Sequence, residues 1–189
     1  IKLGSDNDKA LIKAIRVASD KPLYADVNQG WKDREFALDM AFYLHEQGVL
    51  VLEQPFEKSN LQDLAWLKAK SPIPIIADES CQRLVDLEKM VDCVDGINIK
   101  LMKASGIHEG LKLFREAKRL GLQTLIGCMT ETSCATYAAL SIAPLADYVD
   151  IDGPWMLAEQ PFATPVLKNG ICQYSTKPGL GLLYRSDRY

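Results

Sequence analysis

The feature that most constrains this chain is an alternation: short runs of β-branched and apolar residues are separated by amphipathic stretches of helical period. Candidate strands run from Ile1 to Leu3, Leu23 to Val27, Leu50 to Glu53, Ile73 to Asp78, Gly96 to Lys100, Thr124 to Gly127 and Tyr148 to Asp152. Strands that alternate with helices pair in parallel through crossovers, which makes the class α/β. Between the second and third strands, Asp33 is placed to cap a helix, Phe36, Met40, Tyr43 and Leu44 recur on one face, and Gly48 stops it. A similar helix is expected from Ile107 to Leu120, with Leu111, Phe114 and Ala117 facing the core and Gly121 ending it.

The polar residue or glycine at the end of each strand falls at positions 2, 26, 53, 78, 100, 127 and 150, with separations of 24, 27, 25, 22, 27 and 23. Such even spacing suits a (β/α) barrel. A doubly wound open sheet is the alternative, disfavoured because no glycine-rich phosphate loop follows an early strand. Only seven strand ends are present, the first on a stub, and 189 residues fall short of a whole barrel. An open barrel edge is an aggregation hazard. The expectation is therefore the C-terminal portion of a TIM-like (β/α) barrel in an α/β chain, with a preceding segment supplying the missing first strand and more.

Residues 1–157 are expected to form this partial barrel. Beyond Asp152 the pattern changes: Pro154, Pro161 and Pro165 interrupt it, and Val166 to Ser175 reads as a hairpin turning at Asn169-Gly170. Residues 158–189 are expected to be a tail that leaves the barrel and packs on something absent from the sequence.

Twenty-two basic and 25 acidic residues leave a formal charge of -3, with no basic run that would track phosphates, so nucleic acid is excluded as a partner. No apolar stretch approaches the roughly 18 residues of a membrane span, and no leader pattern opens the chain, so a cytoplasmic location is expected. The five cysteines, at 81, 93, 128, 134 and 172, form no Cys-x-x-Cys pair and read as reduced thiols; Cys128 falls near a strand end, but nothing in the sequence marks its thiol as activated. His45 and His108 lie within helical patterns and read as surface or packing residues.

Chemistry concentrates at the strand ends. Lys2, Asp26, Glu53, Asp78 and Lys100 end consecutive strands, so in a barrel they converge on the C-terminal face, where active sites of this architecture lie. Three carboxylates brought together resist ionisation unless a cation sits among them. Oxygen-only donors favour a hard ion such as Mg²⁺ over Zn²⁺. The two lysines flank the acids and are suited to proton transfer. Lys103, beyond the strand, reads as a solvated charge at a helix entry.

These segments also carry a resemblance. Ile1-Lys-Leu-Gly resembles the end of a Lys-x-Lys strand, Asp26-Val-Asn-Gln-Gly-Trp a third-strand motif, Glu53-Gln-Pro and Asp78-Glu-Ser a fourth and a fifth, and Asn98-Ile-Lys-Leu-Met-Lys a sixth, in the muconate-lactonizing subgroup of the enolase superfamily. The resemblance implies that Asp26, Glu53 and Asp78 ligate Mg²⁺ and that Lys2 and Lys100 are the two bases. It implies that the barrel is of the (β/α)7β type, with the first strand and an N-terminal capping domain absent from the sequence, and that residues 158–189 pack on that capping domain. It implies that Asp150-Ile-Asp152, on the eighth strand, binds a substrate α-ammonium group as in dipeptide epimerases. Gly127-Cys-Met-Thr-Glu131 resembles the seventh-strand segment, which implies that Met129 and Glu131 line the pocket.

The expected activity is a Mg²⁺-dependent inversion of the C-terminal residue of an Ala-Xaa dipeptide, by two-lysine proton transfer through an enediolate. Alternatives are an N-acylamino acid racemase, o-succinylbenzoate synthase or cycloisomerase on the same barrel, a Schiff-base aldolase using Lys100, or a non-catalytic degenerate barrel. The expected partners are the dipeptide, the missing N-terminal part of the same protein and, in a homo-oligomer, further copies of it.

Overall fold

A computed structural model describes residues 1–185. Its strands are β1 (Leu23–Asp26), β2 (Val49–Glu53), β3 (Ile75–Ala77), β4 (Gly96–Lys100), β5 (Gln123–Gly127), β6 (Tyr148–Asp150) and a separate pair, β7 (Val166–Lys168) and β8 (Ile171–Gln173). Its α-helices are α1 (Asp8–Ala18), α2 (Arg34–Glu46), α3 (Leu61–Lys68), α4 (Leu84–Leu87), α5 (Ile107–Arg119) and α6 (Ser133–Leu140). Strands β1 to β6 pair in parallel in sequential order. A doubly wound sheet would reverse its order partway, so this alternative is ruled out. The sheet is a half-barrel.

Its curvature is visible in the interior. Tyr24 on β1 and Tyr148 on β6 meet edge to face, with ring centroids 5.5 Å apart, although four strands separate them. Beneath them Val51, Ile76 and Leu125 pack as a small inner cluster. The opposite parity of each strand, including Ala25, Leu52, Ile97, Ile99 and Ile126, joins the helices in the main core. Phe56 and Phe114 are fully buried there; truncating such a residue to Ala costs about 3–5 kcal/mol.

Helix α2 forms as its caps dictate. The Asp33 side chain accepts from the Phe36 amide at 2.7 Å, and Gly48 takes φ +70 after the last turn. The core face is Ala37, Met40, Ala41 and Leu44, spaced i, i+3, i+4, i+7. Phe36, expected inside, is instead half-exposed with its ring edge to face with Trp31. In α5, Gly110, Leu113, Phe114 and Ala117 are buried, Leu111 packs at the margin, and Gly121 follows at φ +76.

Two strand expectations need correction. Residues 1–3 make a single parallel bridge, Lys2 to Asp26, rather than a strand. The last barrel strand ends at Asp150, not Asp152, because Asp152 caps a 3₁₀ turn over Gly153–Met156 that holds Pro154 at its second position. The hairpin forms where expected: Asn169 and Gly170 have φ of 51 and 77, the left-handed pair of a two-residue turn. Positions 186–189 of the expected tail lie outside the described residues. No helix among the described residues is long and apolar enough to cross a membrane.

Candidate active site

Parallel register builds the site. Asp26 pairs with Glu53, Lys100 with Gly127, and Gly127 with Asp150, so the ends of β1, β2, β4, β5 and β6 lie at one level. Asp78 follows β3 directly. Close approach of two glycines shapes the floor of the neighbouring loop: a Cβ on Gly30 would lie 2.8 Å from the Gly4 Cα, so both positions exclude larger residues.

Asp26, Glu53 and Asp78 are buried, and one oxygen from each lies within 4.8 Å of the others. The three donors are carboxylates, which suit a hard divalent ion. Burial, and next the negative charge of Asp26, push Glu53 up to about 7, against the pull of Asn98, Lys100 and Lys2. Carboxylates so placed ionise together most readily with a cation among them, and the donor set fits one.

Three lysines pair with two of the three acids. Lys2 donates to Asp26 at 2.5 Å and Lys100 to Asp78 at 2.6 Å. Lys103 donates to the other Asp78 carboxylate oxygen and, at 3.0 Å, to the Asp78 backbone carbonyl. The reading of Lys103 as solvated is therefore wrong. Its side chain is 14% exposed, and burial pushes its pKa down to about 8 despite the attraction of Glu53 and Asp26. The turn after β4, where the Lys103 and Ala104 amides donate back to the Lys100 carbonyl, folds it over the site.

Two uncharged residues escaped the sequence reading. The Gln54 side chain, wholly buried at φ +35, accepts from the Asp78 and Ser80 amides at 2.9 and 3.1 Å and donates to the Phe56 carbonyl and the Ser80 hydroxyl. It thus ties the end of β2 to Asp78. The Asn98 amide donates to Glu53 at 2.6 Å. Both stand inside motifs quoted above, and their position beside the charged residues was the available signal.

A cavity of about 550 Å³ opens over these groups, lined among others by Lys2, Asp26, Glu53, Lys100, Asp150 and Asp152, a size within the usual ligand-pocket range. Met129 lines it as well, with Thr130. Glu131 lies outside the lining; its half-buried carboxyl is raised by burial. Burial and then Asp152 raise Asp150, with Lys2 and Lys100 opposing. Cys128 also borders the cavity, and burial pushes its thiol up to about 11. A larger cavity, about 690 Å³, lies toward β7 and β8; it shares Asp150 and Asp152, but Trp155, Leu167 and Ile171 make it mostly apolar, and the triad is not part of it.

A curved parallel sheet with a candidate carboxylate metal centre at the C-terminal ends of its strands defines the class as a (β/α)-barrel protein with its site on that face. The chain belongs to the enolase superfamily: the family model "Enolase C-terminal domain-like" matches residues 1–188. It is 45% identical to the L-Ala-D/L-Glu epimerase of Bacteroides thetaiotaomicron over 97% of this chain and 48% of that protein. Among solved structures, the dipeptide epimerase from Cytophaga hutchinsonii in complex with Mg and the dipeptide D-Ala-L-Val superposes with a TM-score of 0.89 at 29% identity, covering 100% of this chain and 54% of that one. The N-succinyl Arg/Lys racemase from Bacillus cereus gives 0.90 at 27% identity, covering 98% and 53%. The chain spans about half the length of the relatives it matches.

Proposed function

We propose that the full-length protein is a Mg²⁺-dependent dipeptide epimerase that inverts the α-carbon of the C-terminal residue of an Ala-Xaa dipeptide. The observation that carries this reading is one cavity lined together by Asp26 and Glu53 of the triad, by Lys2 and Lys100, and by the acid pair Asp150 and Asp152. The names of the relatives support the substrate class.

Asp26, Glu53 and Asp78 would hold Mg²⁺. When bound, the ion supplies positive charge that acidifies the carbon next to a substrate carboxylate and offsets the charge left when its proton departs. Lys2 and Lys100, paired with acids at opposite ends of the triad, move the protons: one nitrogen accepts from the α-carbon and the other delivers to the opposite face. Asp150 and Asp152 bind the free amino terminus, since two neighbouring carboxylates favour a cation. Met129 forms part of the wall, and Glu131 follows in the same loop, outside the lining.

The test is incubation of the full-length protein with Ala-Xaa dipeptides in deuterated water, followed by mass and stereochemical analysis. Label entry with inversion at the C-terminal residue, lost on adding a chelator, is expected; no label with any dipeptide would sink the reading. The likeness to an N-succinyl amino acid racemase favours a second reading, an N-acylamino acid racemase. Faster turnover of acylated amino acids than of dipeptides would select it.

A further inference from the structure

The end of β4 holds a buried amide whose two ends are treated differently. Asn98 is 3% exposed. Its Nδ2 donates to Glu53 at 2.6 Å, and among the described residues no other group donates to that carboxylate. Its Oδ1 is buried without a hydrogen-bond partner. A buried carbonyl left unpaired is unfavourable, and an apolar residue of similar size would avoid it. The asparagine is therefore there for its amino end.

The neighbouring strand makes room for it. Gly127, opposite Lys100 in the β4–β5 register, faces the Asn98 amide so closely that a Cβ at 127 would stand 2.4 Å from Oδ1, 2.7 Å from Nδ2 and 3.0 Å from Cγ. Any side chain there would push the whole amide aside. Loss of the Cβ at 127 and the bond from 98 to 53 are one arrangement spread over three strands.

We infer that Asn98 is a positioning residue for Glu53, fixing one carboxylate oxygen so that the other faces Asp26 and Asp78, and that Gly127 is the gap that admits it. This rests on the reading of the triad as a Mg²⁺ site. Partners that orient a metal ligand are typically worth about 10- to 100-fold in metal affinity.

The experiment is calorimetric titration of Mg²⁺ into the full-length protein without substrate, for the parent, Asn98→Ala, Gly127→Ala and the double variant, with melting curves in chelator as the check of folding. Asn98→Ala is expected to weaken Mg²⁺ by about 10- to 100-fold. Gly127→Ala, which keeps the asparagine but displaces it, should reproduce that loss. The double variant should bind no more weakly than Asn98→Ala alone, because the new Cβ then enters emptied space; two residues acting through one contact are not additive. Parent-like affinity in Asn98→Ala overturns the inference, as do additive losses. If Asn98→Ala does not fold, Gly127→Ala carries the test. A parent that takes up no Mg²⁺ overturns both the metal reading and this one, whereas losses confined to the expected variants separate them.

Discussion

Lys103 and Asp78 are joined twice, once through the aspartate's carboxylate and once through its backbone carbonyl, although the lysine stands three residues past the end of β4. The Asp78 carboxylate is 2% exposed, so its charge depends on these donors and on Lys100.

Replacing Lys103 by Met leaves a buried carboxylate with one lysine fewer, while the Asp78 carbonyl keeps only the Cys81 amide as donor. A loss of about 2 kcal/mol in urea unfolding is expected. The same change at Lys112, which pairs on the surface with Glu109, should leave the midpoint nearly unmoved. Equal stability of the Lys103→Met variant and the parent would mean that the pairing contributes nothing.

The lysines proposed as bases are separable by isotope exchange. Lys2→Ala and Lys100→Ala should each abolish inversion, since a stereocentre inverts only when donor and acceptor work on opposite faces. Each variant should still exchange the α-proton of one stereoisomer with solvent deuterium. Epimerisation at the parent rate by Lys100→Ala would refute the two-base scheme.

Asp150 and Asp152 should select a free amino terminus. An N-acetylated dipeptide is expected to lose about 1.5–3 kcal/mol of transition-state stabilisation, roughly ten- to a hundredfold in kcat/KM. Asp152→Asn should narrow that gap with little change in Mg²⁺ affinity, because Asp152 lies outside the triad. Equal turnover of acetylated and free dipeptides by the parent would instead favour the racemase reading.

Asp147 gives a pH dependence outside the site. Burial alone would raise its pKa, but bonds from Lys118 at 2.7 and 2.8 Å and from the Thr124 amide and hydroxyl at 2.7 and 3.0 Å hold it below its ordinary value. A depressed carboxylate pKa stabilises the fold above the unfolded-state value, about 3.9, and that contribution is lost as pH falls through the folded value. Asp147→Asn should thus be less stable than the parent at pH 7, with the difference closing below about pH 4 in denaturant titrations. A gap unchanged at pH 3 would show that the charge is not responsible.

The amino-acid sequence alone determined which residues end strands and which way they face. Periodicity is a local property: with a side-chain repeat of two along strands and a stop at each Gly or Asp cap, Asp26, Glu53, Lys100 and Asp150 had to reach the same rim once the strands paired in parallel. Caps at Asp33 and Gly48 and the Asn169-Gly170 turn were legible for the same reason, since each acts within a few residues. Charge made the triad conspicuous, because clustered acids ask for a cation wherever they meet.

Only the tertiary structure decided what the uncharged neighbours do and where the late charges go. Asn98 meets Glu53 across 45 positions, and Gln54 meets Asp78 across 24, through the lateral order of strands and the space left by Gly127, neither of which has a local signature. Lys103 looked solvated because it stands beyond the end of its strand, and the fold of the following turn over Asp78 buried it. The strand through Asp152 was cut short at Asp150 by the 3₁₀ turn at Pro154, yet the cavity still collects both acids, because a bend in the chain can deliver a side chain to a site that strand geometry does not reach.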